Sequence, residues 1–181
     1  MGAHRAVVIA DPALAGAEIR TTVTVLAAAL GRLTWDLVIA GADTSDGGAG
    51  VVGAAVATRL GIPFLSAAAE IIPGGGRVTV HRLCADGHDV LEAPLPAVVT
   101  GTQLLGDPRY PSLRGIMAAR SKPIETWSLA DLGIEVGTPP DAVGLTGSAA
   151  PAQRPGARIV RLPAPDAVKE TIAFLGERGL L

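Results

Sequence analysis

Apolar and polar residues follow one another along the first half of the chain in a pattern that predicts strands and helices in turn. The apolar runs 6–10 and 36–40 have the length of buried strands, and residues 62–66 form a third extended segment. Between the first two runs, apolar residues recur at helical spacing from Glu18 to Leu33, and a second helix is expected to end near Leu60. This alternation indicates a parallel sheet with right-handed crossovers and flanking helices.

The pattern changes in the middle of the chain. Two alternating runs, 77–83 and 89–92, are joined by Asp86-Gly87, a dipeptide that favours hairpin turns, and a further extended run covers 96–101. We therefore expect antiparallel strands that extend or cap the sheet. A short helix is predicted over 113–120.

We predict a division into an α/β domain of the nucleotide-binding type, residues 1–136, and an appendage, residues 137–181. Residues 137–156 are rich in proline and glycine, which predicts an extended arm. A last strand is expected over 158–162 and a terminal helix over 166–178. The expected fold class is α/β: a parallel sheet with flanking helices, plus an antiparallel hairpin and an extended C-terminal arm.

Composition narrows the classes of function. The chain has 181 residues, of which 49% are hydrophobic and 18% charged, and its formal net charge is −2. Every apolar run is shorter than the roughly 20 residues that cross a bilayer, so membrane insertion is not expected. No basic cluster stands out that could neutralise a run of phosphates, so nucleic acid is not an expected partner. The charged fraction lies below the roughly 25% of an average domain, which suggests a surface covered by another subunit.

The cysteine content and the first residues of the chain indicate the cellular compartment that we expect for the protein. Cys84 is the single cysteine, so no intrachain disulfide can form. The start of the chain lacks the basic-then-apolar pattern of a signal peptide. We therefore expect a reducing compartment, the cytoplasm.

The richest candidate for chemistry is the glycine-rich stretch 41–53, between the second strand and the second helix. It contains the pattern Gly-x-Gly-x-x-Gly over 48–53, and Glu70 stands about where a dinucleotide-binding unit places its ribose-binding acid. In that fingerprint the first glycine ends the strand, whereas here some seven residues separate Ala40 from Gly48. An NAD-linked oxidoreductase is therefore a minor alternative.

Even without a dinucleotide fingerprint, this stretch has features that suit a phosphate group. Consecutive glycines allow close approach of the backbone, and N–H groups at a helix N-terminus favour a phosphate. The opposing interpretation is a long loop without a ligand, in which Ser45 or Asp46 caps the following helix.

Catalytic side chains are sparse. The three histidines are scattered, Cys84 lacks a neighbouring base, and no serine lies in a nucleophile-elbow motif. Although His81 and His88 flank the predicted hairpin, a metal site is not expected. The chain is predicted to bind rather than to catalyse, with no catalytic residues.

The segment 107–117 combines rigid prolines with apolar side chains, a combination that suits the anchor of a partner protein. The alternative is that Leu113 and Ile116 pack into the core of the domain itself.

This segment and its surroundings resemble the β subunit of electron-transfer flavoprotein, and the resemblance covers essentially the whole chain. The residues that carry it are Leu95-Pro-Ala-Val-Val-Thr100, Asp107-Pro-Arg-Tyr-Pro-Ser-Leu113, Gly115-Ile-Met-Ala-Ala119, Lys122-Pro-Ile-Glu125, Ala130-Asp-Leu-Gly133, the glycine loop Asp46-Gly-Gly-Ala-Gly50 and the start of the arm, Ala150-Pro-Ala-Gln-Arg154.

The resemblance implies an electron carrier without catalytic side chains of its own. It implies a heterodimer with an α subunit that carries most of the FAD site, while the β subunit buries one AMP as a structural ligand. Electrons would pass from acyl-CoA or related dehydrogenases, as in fatty-acid oxidation, through FAD to a quinone oxidoreductase.

Site residues follow from the same resemblance. The implied AMP-binding residues are Gly41, Asp46, Gly47, Gly48 and Gly50. In the implied partner-recognition loop, Leu113 anchors the dehydrogenase. The residues expected to serve that loop are Pro108, Arg109, Tyr110, Leu113, Ile116 and Met117.

The chain departs from the family pattern in three places. In the hairpin before Leu95, the family normally carries acidic residues where this chain has Ala85, and Glu or Gln where it has Asp89. Gly106-Asp107 stands where family members usually carry Asn-Glu. Two strand–helix segments of the family, roughly 60 residues or more, would precede Met1, and they supply the other half of the AMP pocket and some flavin contacts. Two alternatives follow: a stand-alone adenine-nucleotide-binding regulatory module, and a mis-started product that does not fold alone.

Overall fold

The computed structural model describes residues 2–45, 47–135, 147, 149, 152 and 159–181. The chain forms two compact units, Met1–Leu145 and Thr146–Leu181, and each is described by itself. The predicted domain boundary after residue 136 falls outside the described residues and stays a prediction.

In the described part of the first unit, strands and helices alternate up to β3, and four strands, β3 to β6, then follow one another directly. The strands are β1 Ala6–Ile9, β2 Leu37–Gly41, β3 Phe64–Gly74, β4 Arg77–Cys84, β5 Gly87–Pro94, β6 Ala97–Gly101 and β7 Ile124–Trp127. The helices are α1 Ile19–Leu30, α2 Val52–Leu60 and α3 Leu113–Ala119, with short 3-10 helices at Pro12–Leu14 and Gln103–Leu105.

Five of these strands form a mixed sheet in the order β2-β6-β3-β4-β5. The strands β2, β6 and β3 run parallel, whereas β4 and β5 are antiparallel additions. Its core is made of small aliphatic residues, among which Val78, Val80, Val98 and Val99 are completely buried. The predicted α/β class with an antiparallel hairpin is therefore confirmed.

Two hairpin turns define the antiparallel half. Gly74 pairs with Arg77 across the turn Gly75-Gly76, and Cys84 pairs with Gly87 across Ala85-Asp86. The second turn lies one residue earlier than the predicted Asp86-Gly87.

Strand β3 changes partner along its length. Its first residues pair with β6, as in Leu65 with Val99, and from Ala68 onward it also pairs with β4. The change occurs at an irregularity where Ala67 has a φ of +56° and its N–H donates to Thr100 Oγ1 at 3.3 Å. The sequence pattern predicted only the segment up to Ser66, because the bulge interrupts the alternation on which the prediction rests.

A separate two-stranded sheet pairs β1 with β7 in parallel. The prediction that 6–10 and 36–40 belong to one sheet is wrong within the described residues, since β1 pairs there with β7 alone. Strand β7 was not predicted. Periodicity reports which residues are buried but not which strand lies beside them. Helix α1 covers this region, with Val25 and Ala29 in one cluster with Leu129 and Leu132.

The second unit contains helix α4, Ala164–Gly176, close to the predicted span 166–178. Residues 159–162 form no strand, so that prediction is wrong for the described part; residue 158 lies outside it. Ile159 is 78% exposed, and Pro163 follows the run directly without an N–H to donate to a ladder. In the part of the chain that the structure describes, no helix is long and apolar enough to cross a membrane.

Candidate functional site

The glycine-rich loop lies at the carboxyl end of β2 and runs into α2. Helix α2 begins at Val52, and its N-cap is Val51, which makes no side-chain capping hydrogen bond. The alternative in which Ser45 caps this helix is therefore wrong. Asp46 itself lies outside the described residues. Among the described residues no side chain caps the start of α2, and the N–H groups of a helix N-terminus attract an anion.

Asp43 organises the loop. Its Oδ1 accepts hydrogen bonds from the N–H groups of Thr44 and Gly50, both at 2.8 Å. The Gly48 N–H donates to the Thr44 carbonyl oxygen at 3.1 Å. Gly48 and Gly50 have φ values of +56° and +62°, which residues with a side chain rarely adopt. The loop therefore folds back on itself through one carboxylate and two glycines. Asp43 is not among the residues predicted from the sequence.

A cavity of about 380 Å³ lies beside this loop. Its wall comes from the loop, the end of β2 and the first turns of α1 and α2. The described lining residues are Ala17, Ile19, Thr22, Ala40, Gly41, Ala42, Asp43, Thr44, Gly47, Ala49, Gly50, Val51, Val52 and Gly53. This volume lies within the roughly 300–1,000 Å³ of small-molecule sites. Of the predicted nucleotide residues, Gly41, Gly47 and Gly50 line it, whereas Gly48 shapes the loop.

The lining of this cavity determines which anions it can hold. It contains no lysine or arginine among the described residues, and Asp43 contributes a negative charge. An anion would depend on backbone N–H groups and on hydroxyls such as those of Thr22 and Thr44.

Gly53, the last glycine of the motif, has a packing role. A Cβ atom there would lie 2.5 Å from Thr100 Cγ2 and 3.3 Å from Phe64 Cε2. The glycine thus lets α2 pack closely on β6 and β3. Glu70 lies on β3, pairs with His81 Nδ1 at 3.3 Å and does not line the cavity. The dinucleotide interpretation therefore lacks its ribose-binding acid.

A larger cavity, about 680 Å³, lies between α1 and α2 and was not predicted. Its described lining includes the cations Arg20 and Arg59 and the anions Glu18 and Glu135. The charges balance, so the lining shows no preference for a charged ligand.

The predicted partner-recognition residues lie on what we call the exposed segment, residues 107–122. Tyr110 is 98%, Leu113 78%, Met117 58% and Ile116 43% exposed, and α3 contains no buried residue. The alternative that Leu113 and Ile116 pack into the core is therefore wrong. Pro108 and Arg109 are exposed as well. The segment is ordered locally by Ser112, whose Oγ accepts the Gly115 N–H at 3.1 Å and caps α3.

A polar cluster links the two strands of the β4–β5 hairpin. Arg82 donates through Nε and Nη2 to Asp89 Oδ2 at 2.9 and 2.7 Å, and through Nη1 to Ser66 Oγ at 3.0 Å. The Cys84 thiol donates to the same Oδ2 at 3.0 Å. These two donors lower the pKa of Asp89, and the bond to that carboxylate raises the pKa of Cys84. At a given pH, less of Cys84 is therefore present as the thiolate, which is the nucleophilic form.

Metal ligands are not grouped in the part of the structure that is described. No set of three or more His, Cys, Asp and Glu side chains there could hold a metal ion.

Comparison with known proteins identifies the family. Residues 1–132 match the family model described as the electron transfer flavoprotein domain. The electron transfer flavoprotein subunit beta of Mycobacterium leprae is 42% identical over 146 residues, covering 80% of this chain and 53% of the relative.

Two further relatives are less similar to this chain. The caffeyl-CoA reductase-Etf complex subunit CarD of Acetobacterium woodii is 38% identical over 149 residues, 82% of this chain and 55% of the relative. The electron transfer flavoprotein subunit beta of Clostridium acetobutylicum is 32% identical over 148 residues, which cover 82% of this chain and 56% of the relative. The chain spans about half the length of the curated relatives it matches. The chain therefore belongs to the electron transfer flavoprotein family.

Proposed function

We propose that this chain acts as the β subunit of an electron-transfer flavoprotein. With an α subunit that holds most of the FAD, it carries electrons in the cytoplasm from an acyl-CoA-type dehydrogenase, as in fatty-acid oxidation, to a quinone oxidoreductase. It is a carrier subunit and contributes no catalytic side chain. The observation that carries the proposal is the exposed segment. Its apolar residues Tyr110, Leu113 and Met117 are available to a partner at the positions where the resemblance expects one.

The cavity beside the glycine loop supports AMP as the structural ligand. Its size suits a nucleotide, and the uncapped start of α2 offers N–H groups to a phosphate. Because the described wall holds Asp43 and no cation, one phosphate group is better tolerated than the three of ATP. Gly41, Gly47 and Gly50 would line the bound nucleotide, and Asp46 is proposed with them. When bound, FAD supplies the redox chemistry; this chain would contribute the surface against which the α subunit holds it.

Co-expression with the α subunit encoded in the same genome tests the proposal. We expect a 1:1 complex that is yellow, with one FAD and one AMP released on denaturation and quantified by chromatography. A soluble pair that stays colourless would contradict it. A parallel preparation, extended by the reading frame upstream of Met1, shows whether further residues are needed for either ligand.

A second candidate function is a stand-alone adenine-nucleotide-binding regulatory module. One observation favours it: the described residues of this chain form the cavity wall without a second subunit. Titration calorimetry with AMP and with ATP, on the chain alone, separates the two candidates. Micromolar AMP binding without any flavin uptake on addition of the α subunit would favour the module.

A further inference from the structure

A bend in β3 lies between the cavity beside the glycine loop and the β4–β5 hairpin. Between Leu65 and Ala68, which both pair with β6, two residues of β3 stand opposite the single residue Thr100. The second of these two residues, Ala67, has a φ of +56°. Residues with a side chain rarely adopt this conformation, and it persists only where the surroundings hold it in place. The backbone at Ala67 therefore relaxes if those surroundings release it.

Thr100 on β6 connects the bend to the cavity. Its hydroxyl oxygen accepts the Ala67 N–H at 3.3 Å, and its methyl carbon lies against Gly53, where an added Cβ would be 2.5 Å away. Gly53 is in the first turn of α2 and lines the cavity. Thr100 is only 4% exposed, and a packed interior transmits displacements. A shift of the first turn of α2 therefore moves Thr100 and weakens the bond that holds Ala67.

Arg82 on β4 connects the same bend to the hairpin. Its Nη1 donates to Ser66 Oγ at 3.0 Å, directly before Ala67. Its Nε and Nη2 donate to Asp89 Oδ2 on β5 at 2.9 and 2.7 Å. The guanidinium group thus joins the bend to both strands of the hairpin. If the backbone at the bend changes, Ser66 moves and Arg82 loses one of the three hydrogen bonds that orient it.

We infer that the bend at Ala67 couples the cavity to the β4–β5 hairpin, so that a nucleotide bound in the cavity holds Arg82 and Asp89 in place. The inference rests on the proposed AMP site and adds a conformational consequence of its occupation. In the held state, Thr100 and Ser66 keep the contacts described above. In the released state, Ala67 takes a negative φ and Arg82 is bonded to Asp89 alone.

A ligand that binds the held state more tightly shifts the population toward that state. Coupling is reciprocal, so a change in the hairpin that favours the released state must weaken the ligand's binding. No residue of β4 or β5 is among the described residues that line the cavity. An effect of hairpin substitutions on nucleotide affinity therefore reports the coupling and not a direct contact.

Titration calorimetry with AMP tests the coupling, on the full chain alone and in complex with the α subunit. The test variant is Arg82→Gln, which removes the bond to Ser66. The matched control is Arg77→Gln, which removes the other arginine–carboxylate pair of the hairpin, with Glu92, at the opposite end of β4. We expect Arg82→Gln to weaken AMP binding about fivefold or more, and Arg77→Gln to leave it within about twofold of the wild type.

A double variant tests whether Arg82 acts through Thr100. Thr100→Val keeps a methyl group for the contact with Gly53 and removes the hydroxyl acceptor of the Ala67 N–H. It should weaken AMP binding by itself. Adding Arg82→Gln to it should then change the affinity by less than about twofold, because the connection is already interrupted. If each residue only stabilised the fold, the two losses of affinity would multiply.

Hydrogen–deuterium exchange measures the response of the hairpin directly. In the wild type, AMP should slow exchange about fivefold or more both in residues 47–56, beside the cavity, and in residues 80–90, in the hairpin. In Thr100→Val, saturating AMP should still slow exchange in 47–56 but leave 80–90 unchanged.

The outcomes separate the inference from the proposed AMP site. Equal AMP affinities for Arg82→Gln and the wild type, an equal loss in Arg77→Gln, or losses that multiply in the double variant overturn the inference and leave the site in place. So does hairpin exchange that AMP does not change. If the wild type binds no AMP, the proposed ligand is contradicted, and exchange alone decides: faster exchange of 47–56 in Arg82→Gln supports the coupling, and unchanged exchange overturns it.

Discussion

Gly53 on α2 and Thr100 on β6 lie so close that a Cβ atom on the glycine would be 2.5 Å from the threonine methyl carbon. Thr100 is itself buried, and its hydroxyl accepts the Ala67 N–H at the irregular point of β3. It therefore has little freedom to move away. The glycine sets the distance between α2 and the sheet, and with it the position of the loop that α2 follows.

We expect Gly53→Ala to lower the free energy of unfolding by about 1–3 kcal/mol, because the new methyl group overpacks the contact. The sign is opposite to the gain of about 1 kcal/mol that alanine usually brings to a helix. Urea denaturation measures the change. Gly74→Ala is the control, since a Cβ there would meet nothing within 4 Å. Equal midpoints for Gly53→Ala and the wild type would show that the contact relaxes.

Asp43 gives a second prediction, about the loop. Asp43→Ala removes the acceptor of two backbone N–H groups, each worth about 1 kcal/mol, so we expect AMP affinity to fall by roughly 30-fold. Asp43→Asn keeps one oxygen acceptor and removes a negative charge beside the anion, and should bind AMP as well as the wild type or better. Calorimetry on the complex measures both. Asp86→Ala, in the β4–β5 turn, is the control; a loss shared by all three variants would assign the effect to general destabilisation.

The sequence pattern predicted where the strands lie better than which strands pair with one another. The run 36–40 predicted β2, Leu37–Gly41, to within one residue, because a short aliphatic run before glycines has few other solutions. The four-residue strand β7 was missed, because Ile-Glu-Thr-Trp is too short and too polar to stand out. The partner of β1 was missed as well, since its pairing with β7 joins residues more than a hundred positions apart.

The candidate site, too, could be predicted only in part. The glycines of the loop and the apolar residues of the exposed segment were predicted, from the sequence motifs or from the family resemblance. The role of Asp43 was not, because its bond to Gly50 spans seven residues of irregular backbone.

Leu113 provides a third prediction. Leu113→Ala should slow flavin reduction at low dehydrogenase concentration by roughly 30-fold, the loss of about 2 kcal/mol expected for an interface anchor. Flavin content and melting temperature should not change, because the side chain is 78% exposed. Steady-state kinetics with varied dehydrogenase measure the effect as a rise in KM. Leu104→Ala, half-exposed on the neighbouring 3-10 helix, is the matched control. Unchanged kinetics would remove Leu113 from the proposed interface.

The fourth prediction concerns the hairpin thiol. The bond to the Asp89 carboxylate raises the pKa of Cys84, so less thiolate is present at a given pH than for a free thiol. Asp89→Asn removes that charge and should lower the pKa, so iodoacetamide should react several-fold faster near pH 8. The pH–rate profile should shift to lower pH. Asp86→Asn is the control, and a profile unchanged by Asp89→Asn would contradict the described bond.

The exposed segment is fastened at its two ends to different sheets. Before it, the Thr102 N–H and hydroxyl both donate to the Ala68 carbonyl oxygen, at 2.9 and 3.1 Å, which ties it to β3. After it, the Pro123 carbonyl oxygen accepts the Ala6 N–H at 3.1 Å, where β7 begins its pairing with β1. The hydrogen bonds that tie each end to its sheet thus come from residues outside the exposed segment. Under the proposed function, substitutions within this one segment could change which electron donor is bound without altering the pairing of either sheet.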